Sequence, residues 1–296
     1  MTRVELGLHS GHQDIGLDEV RKLWREFDKA GIDLITVWDH FYESPFRGGI
    51  SPTYESTALL SALALETTNC RVGCLCFCMR YRNPAVLAKL LTTVDHLSHG
   101  RLTVGLGAGW HVQEHEAYGF NFGDAKERLD RLEESAKIVR SMFTEERTTF
   151  KGKYYEVNDV SNFPRPVQEH VPIIIGGGGE KRTMGLAAKY GDGTHQGYMS
   201  AESYRNKNKV ADEWCERLGR DPKSLERSTL LHFQMSSGPP QPRAREGSLW
   251  GEPQQVIDQL GEYVDARAQR ISISVRPPLD WDAIHSFLED VVPAFR

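Results

Sequence analysis

Residues 101–119 read RLTVGLGAGWHVQEHEAYG. Leu102, Val104 and Leu106 alternate with smaller residues, which is the period of a strand. The strand breaks at Gly107-Ala108-Gly109 and delivers Trp110, then His111, Glu114 and His115. A strand that ends in glycines and then presents an aromatic and ionisable groups is a common way to build a small-molecule site. Just upstream, residues 84–97 carry a helical pattern with proline in the first turn, stopped by Gly100.

The same unit recurs in both directions. Residues 4–9 read as a first strand. Residues 17–30 follow with Leu17, Val20, Leu23, Trp24 and Phe27 at helical spacing, closed by Gly31. Residues 34–38 form a second, buried strand running into Asp39-His40-Phe41. A helix at 54–67, a strand at 71–78 and the 84–97 helix lead to the opening stretch. Downstream, 125–143 is the longest helical pattern, and 148–155 reads as a hairpin turning at Gly152. Strands at 172–175, 193–196, 228–235 and 270–275 alternate with helices at 180–190, 201–218, 253–266 and 281–295. Alternation of this kind implies parallel strands with right-handed crossovers, and eight units imply a closed (β/α)8 barrel. The excursion around residues 110–170 reads as an insertion. No linker marks a boundary, so residues 1–296 read as one domain.

Composition narrows the function. The chain has 296 residues, 39% of them hydrophobic, and 36 Lys+Arg against 41 Asp+Glu give a net charge of −5. No long basic run suits nucleic acid, and no run of about 18 apolar residues suits a membrane span. The N-terminus, MTRVELGLHSG, lacks the apolar core of a signal peptide. Four of the five cysteines (Cys70, Cys74, Cys76, Cys78, Cys215) lie in nine residues, a spacing that cannot staple a fold. Reduced thiols and a cytoplasmic protein are expected.

In such a barrel the active site lies at the C-terminal ends of the strands. His9, Asp39-His40, Cys76-Phe77-Cys78, the Gly107–Trp110 break, Gly176 to Gly179, His195 and His232 all fall on that rim. This convergence is the main sign of an enzyme. Gly176-Gly177-Gly178-Gly179 leaves the backbone bare before a helix, which suits a phosphate, with Lys181 and Arg182 nearby. The plainer reading is a tight glycine-rich turn. A dinucleotide fingerprint is rejected, because Trp110 stands where the third glycine belongs. Asp39-His40 reads either as an acid–base unit or as a solvated pair at a strand end. Cys74, Cys76 and Cys78 alternate onto one face and match no metal-ligand spacing. They read as small residues filling a barrel layer. His9-x-x-His12 is not a close ligand pair, so no metal is assigned and a barrel metallohydrolase is disfavoured.

Five segments together resemble the luciferase-like monooxygenase superfamily, and within it the coenzyme F420 (deazaflavin)-dependent oxidoreductases. They are VWDHF (37–41), YRNPAVLAK (81–89), DHLSHGR (95–101), 105–119 and 175–193, with a weaker GEPQQV at 251–256. The resemblance implies a homodimer and hydride transfer between F420 and a small organic substrate. It places Asp39 by the cofactor and His40 beside the reactive ring face as the proton donor or acceptor. Leu75 and Cys76 would buttress the ring, often through a non-proline cis peptide, and Cys78 would reach it. Ala108, Gly109, Trp110 and Gln113 would meet the cofactor side chain or substrate. Gly177, Gly178, Gly179, Glu180, Arg182 and Thr183 would hold the phosphate turn. Trp110 departs from the sugar-phosphate and secondary-alcohol branches, which carry a catalytic glutamate there, and suggests a more apolar pocket or stacking against a planar substrate. Glu114 and His111 are the candidates to replace that carboxylate. FMN is the alternative cofactor. A non-catalytic flavin-binding protein is a further alternative.

Overall fold

The computed structural model describes residues 3–238 and 245–296. Its first half runs β1 (Glu5–Ser10), α1 (Leu17–Lys29), β2 (Leu34–Val37), α2 (Ser56–Glu66), β3 (Arg71–Cys78), α3 (Pro84–Leu97), β4 (Leu102–Gly107) and α4 (Val112–Ala117). Then follow α5 (Ala125–Thr144), β5 (Arg147–Lys151), β6 (Glu156–Ser161), β7 (Ile173–Gly176), α6 (Thr183–Tyr190), β8 (Gly193–Gly197) and α7 (Ala201–Arg217). The chain ends with β9 (Glu226–Gln234), β10 (Ser248–Trp250), α8 (Pro253–Asp265), β11 (Arg270–Val275) and α9 (Trp281–Ser286). Eight strands pair in parallel in the order β9-β11-β1-β2-β3-β4-β7-β8, and β8 returns to β9. The expected (β/α)8 barrel is therefore closed.

Alternation sorts each strand into two faces. Leu6 and Leu8, Ile35 and Val37, Val104 and Leu106, and Ile271 and Ile273 join the core shared with the helices. On α1, Val20, Leu23, Trp24 and Phe27 complete that layer, each fully buried. Burial of side chains this size is worth about 1.5–3 kcal/mol apiece. A second, small cluster of Leu34, Leu75 and Ile174, with Cys76 against it, comes from residues on the opposite faces of β2, β3 and β7 and fills the inside.

Four expectations are corrected. The hairpin's second arm is β6, beginning at Glu156, not the stretch ending at 155. Glu134 of α5 accepts the N–H groups of Lys153, Tyr154 and Tyr155 and holds 152–155 as the turn. The helix read from 180 begins at Thr183. The closing helix breaks after Ser286 into a π turn and a 3-10 turn, where Pro293 has no N–H to continue it. The short β10, which the sequence did not announce, pairs in parallel with β9 outside the ring. The 238–247 loop lies mostly outside the described residues.

Candidate active site

The wall formed by β3, β4 and β7 is stripped of side chains around one feature. Leu75–Cys76 is a non-proline cis peptide, and the β3–β4 register shifts between Cys74 and Phe77. The three cysteines consequently do not share a face. Cys74 and Phe77 pack outward, whereas Leu75 and Cys76 both belong to the inner cluster. A Cβ on Gly176 would collide with the Cys76 sulfur, and one on Gly105 with the Cys74 carbonyl and Leu75. Glycine is required at Gly105, where the clash is with backbone, while at Gly176 the Cys76 side chain would have to turn away. Gly109 sits at φ +81, and a Cβ there would come within 2.6 Å of Cys78 Sγ. Burial pushes the Cys76 and Cys78 thiols up to about 12, so both remain protonated. Ala108 and Gly109 are half-buried beside this wall, while Gln113 is exposed on α4.

Two buried carboxylates organise the rim. Asp39, at the end of β2, accepts two bonds from Arg82 Nη1 at 2.9 and 2.7 Å, one from the Ser56 hydroxyl and one from Cys78 N–H at 2.8 Å. It makes no hydrogen bond to His40 among the described residues, so the expected Asp39–His40 unit is corrected. The partner of His40 is Glu114, whose two oxygens each lie 3.1 Å from His40 Nδ1. Glu114 is fully buried on α4 and also accepts from Phe41 N–H, Tyr42 N–H and, at 2.6 Å, the Tyr81 hydroxyl. Burial alone would raise its pKa, but the bonds from His40, Tyr81 and the Tyr42 amide outweigh burial and hold it below the usual carboxylate range. A carboxylate on Nδ1 fixes the tautomer that leaves the Nε2 lone pair free. His111 bonds the Glu43 carbonyl instead and is 3.9 Å from Glu114.

Trp110 is 60% exposed and packs edge-on against His40, ring centroids 5.1 Å apart. Phe41, Tyr81, Tyr118 and Phe120 form an aromatic bank beside it. On the other side, His40 meets Trp38 at 6.0 Å, and Trp38 meets His9 and His12.

His9 and His195 share one design. His9 Nδ1 lies 2.9 Å from the Thr36 hydroxyl, whose proton goes to the Leu8 carbonyl. His195 Nδ1 lies 3.0 Å from the Ser228 hydroxyl, whose proton goes to the Thr194 carbonyl. Each imidazole thus carries its proton on Nδ1. Burial lowers His9 well below the ordinary histidine value, His12 to about 3 and His195 to about 4. The unfolded chain then takes up protons that the folded chain refuses. Stability is full above the ordinary histidine pKa and is lost as pH falls from there toward 4. Urea unfolding at pH 6 and pH 5 should show a drop of about 3–4 kcal/mol, each of the three groups approaching a slope of about 1.4 kcal/mol per pH unit. A flat profile over that window would contradict it.

The glycine turn after β7 is open. Gly177 N–H is taken by the His195 carbonyl, whereas the N–H groups of Gly178 and Gly179 have no partner among the described residues. Nothing lies within 4 Å of a Cβ placed on Gly178, and the half-buried Gly176 leads into this gap. Thr183 caps the cradle from the start of α6. Arg182 points elsewhere, pairing with Asp130 and Glu133 of α5, whereas Lys207 reaches the turn, donating to the Gly178 carbonyl at 3.0 Å and pairing with Glu180. Any anion here meets backbone and lies near the Lys207 ammonium, not the Arg182 guanidinium. Among the described residues, no group of three or more His, Cys, Asp or Glu is placed to hold a metal ion.

Sequence reasoning missed Tyr81, Tyr198 and Arg276 on this rim. The last was legible as a cation directly after a strand, in RISISVRPP.

Known proteins resemble the chain in sequence and in fold. The chain is 31% identical over 197 residues to the F420-dependent glucose-6-phosphate dehydrogenase of Amycolatopsis mediterranei (strain U-32), covering 66% of this chain and 57% of that protein. It thus spans little more than half the length of that relative. The enzyme of the same name from Kribbella flavida is 25% identical over 99% of this chain and 88% of its own. An F420-dependent secondary alcohol dehydrogenase, solved with an F420–acetone adduct, superposes with TM-score 0.87 at 19% identity over 99% of both chains. The coenzyme F420-dependent tetrahydromethanopterin reductase of Methanopyrus kandleri gives 0.84 at 16% identity, over 99% of this chain and 100% of its own. These two likenesses show a common fold. The family description "luciferase-like monooxygenase" matches residues 1–246, and the chain belongs to that family.

Proposed function

We propose that the protein is an oxidoreductase that moves a hydride between coenzyme F420 and a small organic substrate. One observation carries the reading: a histidine locked by a buried carboxylate on Nδ1 stands with Nε2 unpartnered on the rim, beside a wall bared by glycines. The relatives named for F420 use support it.

The residues fit such a group. Gly178 and Gly179 offer unpartnered N–H donors to a phosphate tail, with Gly177 and Thr183 shaping the turn. Leu75, Cys76 and Cys78 offer a bare wall to a flat ring, and Ala108 and Gly109 leave room beside it. Bound there, the deazaflavin supplies hydride chemistry. The chain does the rest. His40 Nε2 accepts the substrate proton when the substrate is oxidised and returns it in reduction. Glu114 holds the ring of His40 in place and fixes its tautomer. Asp39 and Arg82 keep the ends of β2 and β3 together. Trp110 and the aromatic bank exclude water from His40.

A cytoplasmic homodimer belongs to the same reading. All five cysteines are free, and no helix among the described residues is long and apolar enough to cross a membrane. Leu65 on α2 and Val86 on α3 are exposed at 66% and 64%, which suits burial against a second copy.

Titration of the purified protein with F420 and with FMN, followed by ring fluorescence, tests the cofactor. F420 should bind at least tenfold tighter. Binding of FMN alone would replace F420 in the proposal. Unchanged turnover in His40→Ala would remove His40 from the catalysis, and tight cofactor binding with no turnover in the native protein would leave a flavin-binding protein without it.

A further inference from the structure

The rim opposite Trp110 carries a charge that nothing balances. Arg276 follows β11 and is half-buried. Its guanidinium makes no ion pair with a carboxylate among the described residues. Its contacts are neutral: Nη1 donates to the Ser44 carbonyl at 2.9 Å, Nε to the Ser274 hydroxyl at 3.4 Å, and Nη2 to the Tyr198 hydroxyl at 3.5 Å. It lies over the Trp38 indole, 5.1 Å from the ring centre.

None of the acids of this rim pairs with Arg276 among the described residues. Asp39 is taken by Arg82, and Glu114 by His40 and Tyr81. Glu43 Oε1 accepts the N–H groups of Arg47 and Gly49, and its Oε2 is buried without a partner but makes no ion pair with Arg276. A guanidinium drawn partly out of water with only neutral acceptors is costly unless a ligand supplies the anion.

Tyr198 makes the same point independently. It sits at φ +58, a backbone region that bulky residues rarely adopt. Strain of this kind collects at ligand clamps. The conformation lays its ring flat on His232, centroids 3.9 Å apart, and brings its hydroxyl toward Arg276. The hydroxyl and guanidinium together offer several donors to one carboxylate. Inside the rim, Arg276 and His40 both pack on Trp38. Beyond His40 stand Trp110 and, 41% exposed, Phe46.

We propose that the substrate is a flat organic monoanion, with its carboxylate held by Arg276 and Tyr198 and its ring against Trp110. This rests on the oxidoreductase reading above and narrows its substrate class. One half-buried guanidinium matches one negative charge. Arg245, on the same side but exposed, adds attraction without a second buried charge. A doubly charged phosphate would be left partly uncompensated.

Benzoate and 2-naphthoate, with their amides as uncharged partners, are titrated into the purified protein by tryptophan fluorescence. F420 affinity is measured on the same samples. The carboxylates should bind at least tenfold tighter than the amides. Arg276→Gln should abolish that preference, Arg276→Lys should retain part of it, and Tyr198→Phe should weaken it severalfold. F420 affinity should stay within twofold in all three. No preference for carboxylates in the native protein overturns the proposal. So does a preference that survives Arg276→Gln, or equal displacement of benzoate by inorganic phosphate. Failure to bind F420 or FMN with the carboxylate preference intact would sink the cofactor reading and leave the Arg276–Tyr198 carboxylate site without its place in that reaction.

Discussion

Glu114→Gln should lower kcat by about 10²- to 10³-fold, the range of a misplaced general base. The argument is the hydrogen-bond inventory of one buried side chain. Oε1 accepts the N–H groups of Phe41 and Tyr42, so the amide oxygen of a glutamine must stay there. The amide nitrogen then falls where Oε2 meets His40 Nδ1 and the Tyr81 hydroxyl. An NH2 donates and cannot accept. His40 Nδ1 lies 3.1 Å from both positions, but the oxygen at Oε1 is already taken by two amides, so the imidazole is expected to present a bare Nδ1 to the NH2 and move its proton to Nε2. A base facing the substrate becomes a donor, with almost no change in shape. The tautomer is read directly from the imidazole nitrogen shifts of His40 in nitrogen-15-labelled protein. Native protein should show Nδ1–H and the variant Nε2–H. F420 binding should change by less than a few fold, since Glu114 is sealed from the wall where the ring is proposed to lie. A variant with native kcat, or with the native tautomer and lost activity, would remove Glu114 from this role.

The barrel was legible because its evidence is periodic. Alternating Leu102, Val104 and Leu106, and helical Val20, Leu23, Trp24 and Phe27, mark faces whatever lies around them. The rim was legible as a set of strand ends, but not as a set of contacts. Asp39 and His40 are adjacent in sequence and looked like one unit. At the end of a strand, neighbouring side chains point to opposite sides, so each finds a partner from a distant element. Glu114 stands 74 positions from His40 and Arg82 stands 43 from Asp39. No local pattern reports such pairings. The alternating cysteines failed for another reason: the β3–β4 register shifts between Cys74 and Phe77, so simple alternation does not carry through the strand. Some segments that carried the family resemblance turn out to be bracing. In 95–101, Arg101 ties the carbonyls of Ala64, Thr67, Cys70 and Ser98, and Asp95 ties the amides of Val167 and Gln168. A family signature marks what must not change, and both a catalytic hub and a cross-brace satisfy that.

Asp39 is therefore expected to matter chiefly for stability, and Asp39→Ala should reduce the unfolding free energy by about 4 kcal/mol. Three groups lose their acceptor at once. Arg82, largely buried, keeps only Glu55, itself 41% exposed, as an anionic partner. The Cys78 amide at the end of β3 loses its 2.8 Å bond, and an unsatisfied buried N–H costs about 1–3 kcal/mol. The Ser56 hydroxyl at the start of α2 loses its partner too. Asp39→Asn keeps an acceptor for the Cys78 amide but not the charge facing Arg82, and should fall between the two. Urea unfolding of the three proteins gives the order. The imidazole shifts supply the contrast with Glu114: in both Asp39 variants His40 should keep its proton on Nδ1, because Asp39 does not touch that ring. Native-like stability in Asp39→Ala would show that Arg82 is compensated by water or by Glu55 alone. A flipped His40 tautomer in Asp39→Asn would restore the adjacent pair as the acid–base unit, at the expense of the Glu114 assignment.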